Sequence, residues 1–173
     1  MWIERSKVVG LDVGIEEVPP WEVRVDTLAR FPILEVTTPP NYYPPAQIQY
    51  YHVPDSRFDP NPVKAMSFAE ALFSQLAARL SPGNSTDAAH FRPASHGELN
   101  GYTTVIPGGP NTHDLRLFVM QGEPQDPAEK AAGYPGHGLI VVIAITQSGK
   151  IGALNEVLRR SLTGTNYHQP DIN

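Results

Sequence analysis

The sequence predicts an α+β fold, a mostly antiparallel sheet of about six strands packed with two main helices over residues 67–80 and 149–163. Three observations carry that prediction. Short runs alternate apolar with polar residues or are rich in β-branched ones, as half-buried strands require. Two segments instead repeat apolar residues at helical spacing. The order is strands, helix, three strands, helix, and not the strict strand–helix alternation of a parallel sheet.

Taken in order, Val8-Val9-Gly10-Leu11-Asp12-Val13-Gly14-Ile15 alternates loosely and reads as a strand or irregular edge. Pro19-Pro20 breaks the chain, because each ring fixes φ and removes a donor. Trp21-Glu22-Val23-Arg24-Val25-Asp26 then has the period of a half-buried strand. Ile33-Leu34-Glu35-Val36-Thr37 is a β-rich run, and after the proline–tyrosine stretch 39–45 comes Ala46-Gln47-Ile48-Gln49-Tyr50-Tyr51-His52-Val53, again a strand. The first helix is expected to start at Ser67, with Glu70 completing a capping box, and to bury Phe68, Ala69, Leu72, Phe73, Leu76 and Leu80. Ser81-Pro82-Gly83-Asn84 ends it. Residues 91–95 start the next strand, residues 98–102 hold a turn, and residues 102–106 are extended. A Pro-Gly-Gly-Pro-Asn loop at 107–111 leads into the strand 115–120. Residues 139–146 form the most deeply buried strand. Ile151, Leu154, Val157, Leu158 and Leu162 mark the closing helix, with Ser148 in its cap region, Arg159-Arg160 near its negative end and Gly164 as terminator. The tail 165–173 is polar and expected to fray.

The length of 173 residues is that of one domain, here residues 1–173 with an ordered core of about 8–164. Thirteen Lys+Arg against 18 Asp+Glu leave a net charge of −5, which argues against a phosphate-backbone binder and for a basic partner. With no cysteine there are no disulfides and no thiolate sites. Eighteen prolines are about twice the average usage and predict stiff connections. The longest apolar run, residues 139–145, falls well short of the roughly 20 residues of a spanning helix. Residues 1–7 hold no signal-peptide core, so the sequence as written leads one to expect the cytoplasm and, behind a removed leader, the periplasm or secretion; it does not decide between them.

The order of elements resembles the PsbP-like family of folds, an α/β sandwich. That family includes DcrB-type lipoproteins, Ran-binding Mog proteins and the small chaperones of type VI secretion effectors. The residues that carry the resemblance begin with Val18-Pro19-Pro20-Trp21 and the strand 48–53. They continue with the capped helix 67–80, the turn Leu99-Asn100-Gly101-Tyr102, strands 115–120 and 139–146 and the closing helix 151–162. The resemblance covers residues 11 to 164 and implies a bacterial protein without catalytic residues or cofactor, acting through a surface as an adaptor, chaperone, carrier or immunity protein. Longer proline-rich insertions at 38–46 and 121–138 set this chain apart.

The residues themselves offer little chemistry. His90, His96 and His113 are the candidate metal or hydrolase histidines, yet no His-Glu-x-x-His spacing exists. Ser95-His96, with Asp114 or Asp87, is the only nucleophile–base candidate, and neighbours in a strand face opposite ways. Gln147-Ser148-Gly149-Lys150 lacks the first glycine and the Ser/Thr of a phosphate loop. No metal and no cofactor is expected. The surface signal is aromatic: Trp21, Tyr42, Tyr43, Tyr50 and Tyr51 are the candidate partner-binding residues, with Trp21 and one of Tyr50 or Tyr51 expected to fill the core. The expected function is therefore non-enzymatic protein binding. A small His-dependent metal or serine-type hydrolase and a carrier of a small apolar ligand are the alternatives.

Overall fold

The computed structural model describes residues 2–6, 11–15, 21–25, 34–54, 58–80, 90–122, 127–131 and 138–167. Among them, strands β1 (Trp2–Ser6) and β2 (Leu11–Ile15) pair with the short β10 (Asn166–Tyr167) in a small sheet ordered β1-β2-β10. The main sheet has seven strands: β3 (Glu22–Val25), β4 (Leu34–Thr37), β5 (Ala46–Pro54), β6 (Arg92–His96), β7 (Leu99–Ile106), β8 (His113–Gln121) and β9 (Gly138–Gln147). Their order is β3-β4-β5-β9-β8-β7-β6, and every pairing is antiparallel. Helix α1 is Pro62–Leu80 and α2 is Pro127–Ala131; a 3-10 turn, Ile151–Leu154, runs into α3, Asn155–Thr163. No described helix is long and apolar enough to cross a membrane.

The α+β class holds, with more strands than the sequence showed. Residues 2–6 form a strand that their mixed charges concealed, and the tail does not fray at once. Thr165 is buried: its hydroxyl donates to the Ser161 carbonyl (2.7 Å) and accepts from the Gly14 amide (3.3 Å), before β10 pairs with β2.

The centre of the sheet is β9, where the apolar run 139–144 is buried on both faces because layers cover both. Ile140, Val142 and Ala144 face the core shared with Ile48, Tyr50, Phe118 and the α3 residues Leu158 and Leu162, over which β2 adds Leu11 and Val13. Leu139, Val141 and Ile143 face the other core, with Tyr51, Leu117 and the α1 residues Ala69 and Phe73.

Helix α1 starts five residues before the expected cap. Asn61 is the cap: its side-chain oxygen accepts the Val63 amide at 2.9 Å, and its own amide donates to Asp59 Oδ1 at 2.8 Å. Pro62 occupies the first helical position, where a missing N–H costs nothing. Ser67 and Glu70 therefore lie exposed inside the helix; among the described side chains Ala65, Ala69 and Phe73 are buried, Leu72 is half-buried against the same core and Phe68 is left outside, while the side chains of Leu76 and Leu80 lie outside the described residues. The expected stop at 81–84 lies outside the described residues. The turn placed at residues 98–102 is instead Gly97-Glu98, and Leu99 to Tyr102 belong to β7. Gly97 has φ +59°, and a Cβ there would stand 2.9 Å from the Thr163 carbonyl oxygen, so α3 closes directly on the β6–β7 hairpin. Ser148 does not cap the closing helix; its hydroxyl donates to the Gly108 carbonyl at 2.9 Å. Gly164 does end it, donating to the Arg160 carbonyl at 3.1 Å.

Candidate functional site

At one end of the main sheet, the loop 38–45 between β4 and β5, the loop 107–112 between β7 and β8 and the turn 147–150 after β9 come together. Asp114, at the start of β8, ties two of them. Its carboxylate accepts the amides of Gly108 (2.7 Å) and Ile151 (3.1 Å). Burial alone would raise the Asp114 carboxyl. The amides of Gly108, Ile151, Gly149 and Lys150 together outweigh that and hold it below the usual carboxylate range. The third loop is fixed through Thr146, whose hydroxyl donates to the Pro45 carbonyl (2.8 Å), and through Thr38, which exchanges backbone and side-chain bonds with Ala46. The Tyr42 amide donates to the Pro39 carbonyl at 3.0 Å, and the Tyr43–Pro44 peptide is cis.

This frame presents Tyr43, which is 66% exposed, with the Lys150 ammonium 5.5 Å from its ring centroid. Tyr42 is half-buried and leans on Trp21, ring centroids 6.0 Å apart. Of the five aromatic candidates, Trp21, Tyr50 and Tyr51 are buried, at 3%, 1% and 7% exposure. Alternation does send Tyr50 and Tyr51 to opposite faces, but each face carries a packed layer, so neither points to solvent. Tyr50 donates to or accepts from Ser161 Oγ at 2.5 Å, and burial pushes its phenol up to about 12. The Trp21 indole N–H is buried without an acceptor among the described residues.

At the opposite end, the start of α1 and the β6–β7 hairpin border a cleft of about 520 Å³. Phe58 meets Tyr102 edge-to-face at 5.2 Å there, and Asp59, Glu98, Asn100 and Gln121 make the lining mostly polar. Gln121 Oε1 accepts the Phe58 amide at 2.9 Å, which holds the entry to α1 against β8.

The fold matches what is known at the level of shape. No family model matches the chain, and no curated protein matches it in sequence. The solution structure of cyanobacterial PsbP (CyanoP) from Synechocystis sp. PCC 6803 superposes with a TM-score of 0.55 over 96% of this chain and 92% of that one, at 8% identity. The fold is PsbP-like. In this PsbP-like sheet the three histidines stay apart in the architecture: His90 precedes β6, His96 ends it and His113 opens β8. His113 lies in β8, which starts before residue 115, where the sequence placed its first residue. Among the described residues no three His, Asp or Glu side chains gather closely enough for a metal ion. Ser95 Oγ donates to Asn100 Oδ1 at 2.7 Å, while His96 lies on the other face against Phe118. Asp114 is engaged with backbone amides rather than with a histidine.

The sequence suggested Asp114 only as a partner of Ser95-His96 and Lys150 only as part of a failed phosphate loop, and it gave no role to Arg92 or Arg116. One signal was available: Arg116 interrupts the apolar run 115–120, where a charge must find an unusual setting.

Proposed function

We propose that this PsbP-like domain is a non-catalytic protein-binding module that recognises its partner through the proline–tyrosine loop and the Lys150 turn beside it. The observation that carries this reading is the exposure of Tyr43 on loops already fixed by Asp114, Thr146 and Thr38. A bulky amphipathic ring on a preorganised frame loses little entropy on docking. Tyr42, backed by Trp21, widens the same surface. The acidic balance of the whole chain, −5, favours a partner of basic surface, with Tyr43 as the anchor at its centre. Adaptor, chaperone and immunity roles all use such a surface.

The test is a pull-down from source-organism lysate with three baits: wild type, Tyr43→Ala and, as a distant surface control, Phe68→Ser. A stoichiometric partner held by wild type and Phe68→Ser but released by Tyr43→Ala supports this surface. Equal capture by all three places the contact elsewhere and overturns it.

A carrier role has a place in the cleft beside Phe58 and Tyr102. The polar lining turns that reading from an apolar ligand towards a polar one.

A further inference from the structure

The seam between α3 and the edge strand β6 collects basic side chains in a chain that is acidic overall. Alternation along β6 puts Arg92, Ala94 and His96 on the face that α3 covers, where Ala94 packs into the core. Arg116 reaches the same face from β8. Its guanidinium stands 5.0 Å from the Phe118 ring centroid, and His96 meets that ring edge-on at 5.6 Å. Both side chains therefore share one aromatic floor. From α3, Asn155 Oδ1 accepts Arg116 Nη1 at 2.8 Å, and Arg159 adds a further positive charge.

The group is not neutralised within the described residues. The carboxylate recorded beside it is Glu156, which Arg159 engages through both oxygens. Arg116 Nε–H is buried with no acceptor among the described residues. Burial first, then the charges of Arg116 and Arg159, hold the His96 imidazole below its usual value; burial and then Arg92 do the same to Arg116. The two guanidinium charges repel at this seam, the His96 ring beside them stays uncharged at neutral pH, and a buried N–H lies among them unpaired. Arg92 also borders an indentation of about 280 Å³ with Thr103 and Val105, so there is room beside it.

We infer that Arg92, His96 and Arg116 form a seat for an oxyanion, a phosphoryl or carboxylate group. Either presents the paired oxygens that guanidinium forks match, and either offers an acceptor to Arg116 Nε–H. The bound anion would relieve the mutual repulsion of the two guanidinium groups and accept from the His96 ring N–H, which is why it is favoured in spite of the negative charge of the whole chain.

The experiment follows the Arg116 Nε–H and His96 ring resonances while inorganic phosphate or acetate is added at constant ionic strength, with chloride as control. Saturable shifts of both signals with one dissociation constant are expected. Phosphate saturating alone identifies a phosphoryl seat and acetate alone a carboxylate seat. Arg116→Gln should weaken the constant about tenfold or more. Because Arg116 is half-buried and its loss disturbs packing, the exposed Arg92→Gln is the second variant and should weaken it without altering the spectrum elsewhere. Shifts no larger than the chloride control, or an unchanged constant in Arg92→Gln, overturn the seat.

Discussion

Asp114 stands where three requirements meet in one side chain. The loop 107–112 must turn back into β8, the chain must leave β9 and enter a 3-10 turn, and the amides exposed by both need an acceptor. A carboxylate satisfies them because it only accepts, whereas an amide in its place would turn an N–H towards N–H groups. Asp114→Asn should therefore destabilise the protein by about 1–3 kcal/mol at neutral pH, read by urea unfolding. The pH dependence has a definite sign. The folded carboxyl lies below its unfolded value of about 3.9, so its contribution is complete above that value and is lost as pH falls through the folded one. The gap between wild type and Asp114→Asn should thus narrow below about pH 4. A gap that stays constant down to acid pH would mean that the carboxylate charge is not what holds the loops.

Elements were legible where their signals were local. The uninterrupted apolar run of β9, the helical repeat from Ile151 to Leu162 and the stop at Gly164 were all readable. The start of α1 differs from the expected one because two start signals stand close together in the sequence. Ser67 with Glu70 matches a capping box, but Asp59, Asn61 and Pro62 act first, and once the helix is nucleated it runs through Ser67. The two readings give opposite mutational results. Asn61→Ala should cost about 1 kcal/mol of stability through loss of the Val63 bond. Ser67→Ala, exposed in a helix interior, should be neutral or slightly stabilising. Thermal unfolding of the two variants distinguishes them, and a larger loss in Ser67→Ala would restore the later start.

At the scale of the molecule, the layers could be predicted and their contacts could not. Alternation told that Tyr50 and Tyr51 face opposite ways; only the packing of α3 with β2 on one side and α1 on the other shows that both are buried. The candidate surfaces are likewise products of long-range assembly, since Tyr43 meets Lys150 and Arg116 meets Asn155 across the fold. The same holds for the small sheet. Its strands are short, and β1 and β2 pair mainly with each other. What attaches them to the main body is the burial of Leu11 and Val13 against α3 and the side chain of Thr165. That hydroxyl is a single donor and acceptor joining the end of α3 to Gly14 near the end of β2, so it couples the opening of one layer to the other. Thr165→Val keeps the shape and removes both bonds, leaving the Gly14 amide without its acceptor. Amide exchange in β2 should then rise by about tenfold or more, the equivalent of roughly 1.4 kcal/mol, while protection in β8 and β9 changes less. Equal acceleration across both sheets would show that they open as one unit and that Thr165 acts on global stability alone.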